Sequence, residues 1–211
     1  MTLRDFQRAL SDMTLDTRIT AAVRKQGTPA LSDYELTPLE QMRLVDVARQ
    51  PGMVLNCSLA RGNRFAPIVE MFPLTCELLK PWLRELLDEL WSGHRPDNYQ
   101  LTGEDEVFAA FLEGKIGRGE LAHPYAEEVF RYERVSMDLA KSLRYVAAED
   151  SPQAGSEPFR LAFFRHDPRI VLRALENQQT PPPDIPEGYY PVRITLRGDA
   201  LDVELEEGLL Q

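Results

Sequence analysis

Hydrophobic positions follow a helical period over most of the chain and a period of two close to its end. Phe6, Leu10 and Met13, then Leu15, Ile19, Ala22 and Val23, predict a first helix, broken near Thr14, that fades at the stretch KQGTPALSD. In ELTPLEQMRLVDVARQPG, Thr37 supplies an N-cap oxygen, Pro38 fits the first helical position and Glu40 completes a capping box, while Pro51 and Gly52 predict a stop. The run from Asn56 to His94 has the greatest density of large apolar residues. Pro67, Pro73 and Pro81 divide it, and they predict short helices laid end to end, because proline suits a helix's first turn and is costly in its interior. Pro81 is expected to open the strongest of these, with Trp82, Leu83, Leu86, Leu87, Leu90 and Trp91 on its buried side. A further start lies in LTGEDEVFAAFLEGK, with Thr102 as the cap and Glu104 to Glu106 favouring the positive end of the helix dipole. The stretch from Pro124 to about Val146 predicts one long helix, completing a helical body over residues 1–147.

The pattern then changes. AAEDSPQAGSE is small, acidic and turn-forming, and predicts a linker over residues 148–157. PFRLAFFRH reads as a strand, DPRIVLRALENQ as a short helix capped by Asp167 with Pro168 in its first turn, and QTPPPDIPEG as a stiff polyproline connector. Tyr190, Val192, Ile194 and Leu196 alternate with Pro191, Arg193 and Thr195. Leu201, Val203 and Leu205 alternate likewise with Asp202, Glu204 and Glu206, and Gly198 with Asp199 supplies the turn of a β-hairpin. The short helix is expected to cover the hairpin's apolar face. The fold class is therefore mainly α: an N-terminal helical body with a small C-terminal α+β unit, residues 158–211, containing an antiparallel sheet. A three-stranded sheet has two edges, each open to a further strand. Phe159, Leu161 and Phe163, with Tyr190, Val192, Ile194, Leu201 and Val203 of the hairpin, are the candidate peptide-binding residues. The competing reading is that they only build the small unit's core.

Composition narrows the function classes. The 211 residues carry 34 acidic and 24 basic side chains, a formal charge of −10. So acidic a chain repels phosphate backbones, which weighs against nucleic acid as a partner. Arg160, Arg165, Arg169 and Arg173 are the best basic cluster for the alternative, a DNA-associated regulatory protein. No apolar run approaches the roughly 20 residues that span a bilayer, and the N-terminus lacks a signal peptide's apolar core, which predicts a cytoplasmic protein without a membrane partner. The two cysteines, Cys57 and Cys76, lie far apart in apolar surroundings and read as buried thiols.

Residues for catalysis are dispersed. His94, His123 and His166 are not spaced to offer two ligands from one helix, and there is no glycine-rich phosphate loop or nucleophile elbow. His123 is expected to help cap a helix. His166 beside Asp167 is better read as part of a strand-to-helix junction than as a dyad. The acidic pairs Glu104 with Asp105 and Glu127 with Glu128 diverge around a helix and read as solvated faces or favourable helix starts. RGD at Arg197 to Asp199 is explained as the hairpin turn. The chain is expected to be no enzyme and to need no cofactor or metal, an enzyme with a dispersed carboxylate site being the third-placed reading.

The order of the segments MTLRDFQRAL, FAPIVEMFPLTCELLKPWLRELLDELW with its Phe72–Pro73 junction, FAAFLEG and HPYAEEVFRYERV resembles the HvfC/BufC-type proteins. Pro124 and Tyr125 match that family's Pro-Tyr pair, Glu133 falls on its glutamate, and FRLAFFRHDPRIVL is similar to its later strand-helix element, which a pair of strands follows. The region between the first helix and the Phe-Pro junction departs from the family pattern, and Arg61 and Asn63 match its Tyr-Arg-x-Asn motif only loosely. The resemblance implies a non-catalytic partner of a multinuclear non-haem iron-dependent oxidase. Such a partner binds the leader of a ribosomally made precursor peptide and presents it for modification, commonly at cysteines. An older label of the family, DNA-binding, is the one the charge weighs against.

Overall fold

In the computed structural model, residues 3–94, 103–121, 123–146, 158–197 and 200–206 are described. The Thr102 cap, the linker at 148–157 and the Gly198–Asp199 turn lie outside them. The described residues form helices α1 (Leu3–Leu15), α2 (Thr17–Gln26), α3 (Pro38–Arg49), α4 (Pro51–Met71), α5 (Pro73–Leu78), α6 (Leu83–Gly93), α7 (Glu104–Gly117) and α8 (Ala126–Val146). Strand β1 (Phe159–His166), helix α9 (Pro168–Glu176) and strands β2 (Glu187–Arg197) and β3 (Ala200–Leu205) follow. The fold is mainly α with a C-terminal α+β segment, as the periodicity predicts.

Two compact units divide this chain: residues 1–67 with 88–104, and residues 68–87 with 105–211. The expected helical body and C-terminal unit divide it otherwise. The C-terminal strands share a unit with α5 and α8, since α8 packs on β1 and α5 on both α8 and α9.

In the first unit the break expected near Thr14 falls at Asp16, whose carboxylate accepts the Arg18 N–H at 2.9 Å and so caps α2. Gly27, at φ 75°, ends α2 in a conformation that glycine adopts without strain. The capping box is present: Thr37 Oγ1 accepts the Glu40 N–H, and the Glu40 carboxylate accepts the Thr37 N–H at 2.8 Å. Ala9, Met13, Val23, Leu31, Leu44, Val45, Ala48, Met53 and Cys57 interlock as the core. Pro51 does end α3, but it also begins α4.

Pro67 does not divide the following run as expected. α4 continues through it for 21 residues. The carbonyl that a proline at 67 leaves without an N–H is that of Asn63, an exposed residue, which lowers the cost of the lost bond. Pro73 does open α5, whereas Pro81 sits in the turn before α6. On α6, Leu86, Leu87, Leu90 and Trp91 are buried, but Trp82 is 51% exposed, contrary to expectation, because it precedes the helix.

The second unit's interior joins Phe72, Phe108 and Phe130, with ring centroids 5.8 Å and 5.6 Å from Phe72. α7 is apolar on several sides, with Phe108, Ala109 and Leu112 fully buried, and Gly119 at φ 67° turns the chain out of it. The sheet is antiparallel in the order β1-β2-β3. Ala162 and Phe164 of β1 and Val192 and Ile194 of β2 are buried, and Phe164 lies 5.8 Å from the Tyr132 ring of α8. α8, rather than the expected α9, therefore covers the sheet; α9 packs on α5 instead. Both cysteines are buried and free, and burial pushes the Cys76 thiol up to about 12, so it is unreactive near neutral pH.

Candidate functional site

Ladder geometry decides which backbone groups of the sheet are open. In an antiparallel strand, both polar groups of one residue point to the same neighbour, and those of the next residue point the other way. The carbonyl of Pro158 accepts the Leu196 N–H at 3.3 Å, so residues 158, 160, 162 and 164 face β2. Phe159, Leu161, Phe163 and Arg165 then face the opposite side, and the Arg165 N–H is indeed held by Glu128 of α8 at 2.7 Å. By the same parity, Pro191 bonds Glu206 toward β3, so Leu201, Val203 and Leu205 face β3's outer side.

The expected peptide-binding residues thus separate into three sets. Phe159, Leu161 and Phe163 direct their backbone to the edge of β1 that no described strand pairs, and Leu201 and Val203 to the corresponding edge of β3. Tyr190, Val192 and Ile194 belong to the central strand, whose polar groups are paired on both sides. Val192 and Ile194 are core residues, 2% and 0% exposed, and Tyr190 is half-buried, so these three offer no edge. The alternation in the hairpin identified its apolar face but not which strand lies in the middle.

The two edges differ in their surroundings. Beside β3 the alternating side chains Asp202, Glu204 and Glu206 are acidic. The β1 edge opens into a groove of about 450 Å³ formed with α7 and α8. It is lined by Leu161, Ala162 and Phe163 of β1, by Glu113, Ile116 and Gly117 of α7, and by Phe130, Arg131, Arg134 and Val135 of α8. Phe159 and Phe163 are 43% and 49% exposed on the sheet's outer face. There Phe163 stacks on Tyr189 at 5.6 Å, and the Arg193 guanidinium lies 4.1 Å over the Phe159 ring.

The β1 edge ends at a polar clamp. Glu128, 5% exposed, accepts the N–H groups of Arg165 and His166 through one oxygen, and its other oxygen lies 3.0 Å from His166 Nδ1. Tyr125 packs edge-on against His166 at 4.7 Å and donates its hydroxyl to the Pro182 carbonyl at 2.5 Å, which ties the proline-rich connector to the start of α8. His166 pairs with Glu128 and not with Asp167; Asp167 caps α9 by accepting the Arg169 N–H. His123 Nδ1 accepts the Tyr125 N–H at 3.3 Å, the expected capping role.

Three carboxylates expected to be solvated or left unassigned are buried and partnered. Glu104 forms a bridge of 2.7 Å to Arg64 and accepts the Trp91 indole N–H, all three lying in the first unit. Glu128 is the clamp just described. Glu133 accepts the Leu74 and Thr75 N–H groups at 2.7 Å and 2.8 Å, capping α5 just after the Phe72–Pro73 junction. Burial outweighs those hydrogen bonds and pushes the Glu133 carboxyl up to about 7. Arg134, which lines the groove, meets Glu106 at 2.5 Å, and Lys141 meets Asp105 at 3.1 Å. Lys141 first, then Arg134, holds the Glu106 carboxyl below the usual range.

Arg160 and Arg165 lie on opposite faces of β1 by strand alternation, and Arg169 is paired with Asp167 at 2.6 Å. The four arginines therefore do not make one basic face. Among the described residues no group of three or more His, Cys, Asp or Glu side chains is placed to hold a metal ion. No described helix is long and apolar enough to cross a membrane. Compared with known proteins, the chain matches no family model and no curated protein.

Proposed function

We propose that this chain is a non-catalytic adaptor that takes the leader segment of a ribosomally made precursor peptide as an added strand on β1. It presents the rest of the precursor to a multinuclear non-haem iron-dependent oxidase, which carries the metal and the chemistry. The observation that carries the peptide-binding half is the β1 edge: the backbone of Leu161 and Phe163 faces a groove with apolar walls. Strand addition uses such an edge for affinity and alternate side-chain pockets for selectivity.

The oxidase half rests on the resemblance of the segments around Phe72–Pro73 and Pro124–Tyr125. A second surface supports it. Val54, Leu55 and Leu59 of α4 are 51%, 61% and 56% exposed, and from Pro51 to Val69 the helix carries no carboxylate in a chain with 34 of them. Large apolar side chains exposed together on one helix suit a docking surface for a protein partner.

The test is a tagged pull-down from the native host with mass spectrometry of the retained proteins, run for the natural chain and for Leu161→Pro. Proline at 161 removes an N–H that faces the groove and leaves the ladder to β2 intact. The natural chain is expected to retain an iron-dependent oxidase and a short cysteine-containing precursor; Leu161→Pro is expected to lose the precursor and keep the oxidase. Retention of nucleic-acid-associated proteins, or of neither partner, contradicts the reading.

A further inference from the structure

Resting on that reading of the β1 edge, we infer that the accepted strand is anchored by one large apolar side chain, carried by the residue that pairs opposite Ala162. In an antiparallel or a parallel ladder, side chains at one level of adjacent strands share a face. Ala162 is 3% exposed and lies on the α8 side of the sheet, as does Phe164 against Tyr132. A residue opposite Ala162 therefore sends its side chain down into the groove among Ile116, Phe130 and Val135. Ala162 has the smallest side chain of β1, so the space beside it is not filled from its own strand.

The length of the edge makes such an anchor necessary. Glu128 takes the Arg165 N–H, so an added strand cannot pair beyond Phe163. Among the described residues Phe159, Leu161 and Phe163 remain, and the hydrogen bonds of so short a ladder are offset by the entropy lost in ordering the segment. Burial of a large apolar side chain in a preformed groove supplies what the ladder does not. The residues on either side of the anchor point to the outer face beside Leu161 and Phe163, where Phe163 is 49% exposed, so they are held loosely and tolerate variation. The chain's own stretch AAEDSPQAGSE, just before β1, contains no large apolar residue and so cannot supply the anchor.

Panning an unbiased display library of short linear peptides on the full-length chain tests this. The enriched peptides are expected to share one Leu, Met, Phe or Trp with no fixed identity at its two neighbours. Replacing that residue by Ala is expected to weaken binding at least tenfold. Gly117→Leu is the plugging variant. Gly117 lines the groove, a Cβ there meets no atom within 4 Å and the position is helical, so the fold accepts a longer side chain, which should narrow the groove and lower binding at least tenfold. Val135→Ala widens the groove and should shift preference among anchors toward the largest. Peptides that lose affinity on Leu161→Pro but share no large apolar residue, or ignore both Gly117→Leu and Val135→Ala, overturn the anchor and leave the edge reading standing. Peptides indifferent to Leu161→Pro, or no enrichment at all, overturn both.

Discussion

Among the described residues Arg64 is the largest fully buried side chain, and its charge is held by the Glu104 carboxylate, with the His94 carbonyl 3.3 Å from Nη2. Breaking a buried pair by removing one member leaves the other charge desolvated and unpaired, which costs about 3–5 kcal/mol. Glu104→Gln is therefore expected to destabilise the first unit by that amount in chemical denaturation. Arg64→Met combined with Glu104→Leu should recover most of the loss, except about 1 kcal/mol for the Trp91 N–H left without its acceptor. Glu133 predicts a pH effect. Its pKa is raised in the folded chain to about 7 from an ordinary 4.5, so between those values the folded state holds a proton that the unfolded state has released. Its contribution is fully present below pH 4.5 and is lost as the pH rises to about 7, a change of about 3 kcal/mol at most. Glu133→Gln should flatten the fall in stability between pH 5 and 7.5, measured as the difference from the natural chain. Burial lowers His123, which acts in the opposite sense, but it is common to both proteins and cancels in that difference.

At the scale of elements, Glu128 joins α8 to the end of β1 through two backbone N–H groups and the His166 ring. Glu128→Ala leaves buried donors unsatisfied, and we expect a loss of about 2–4 kcal/mol, with faster amide exchange at Arg165 and His166 in particular. That joint also shows how far the elements were legible from the residues. The Thr37–Glu40 box, the Asp167 cap and the alternation in the hairpin are local patterns, and each forms as its residues predict. Pro67 was misread because the cost of an interior proline depends on whether the freed carbonyl reaches water, which adjacent residues do not reveal. Glu104 and Glu128 were misread for a similar reason. A carboxylate beside another on a helix normally faces solvent, and only the distant partners Arg64 and His166, 40 and 38 residues away, make burial tolerable. α8 rather than α9 covers the sheet, a choice made by packing across the chain rather than by the apolar stripe that both helices possess.

At the scale of the whole molecule, a chain of charge −10 keeps carboxylates off one long helix segment and opens an apolar groove at one sheet edge. The sequence left β1 and both hairpin strands as candidates for an open edge, of which the order β1-β2-β3 removes the central one. It could not point to the groove, because Ile116, Phe130 and Val135 reach β1 only through the packing of α7 and α8. The central claim is that β1 accepts a strand, and its parity makes a residue-by-residue statement. The measurement that tests it most directly is amide hydrogen exchange, read by NMR on the full-length chain with and without the precursor recovered in the pull-down. Exchange is predicted to slow at Leu161 and Phe163, whose N–H groups face the groove, and to stay unchanged at Ala162 and Phe164, which already pair with β2. Slowing at Leu201, Val203 and Leu205 of the other edge, or at no residue of the sheet, would contradict the account.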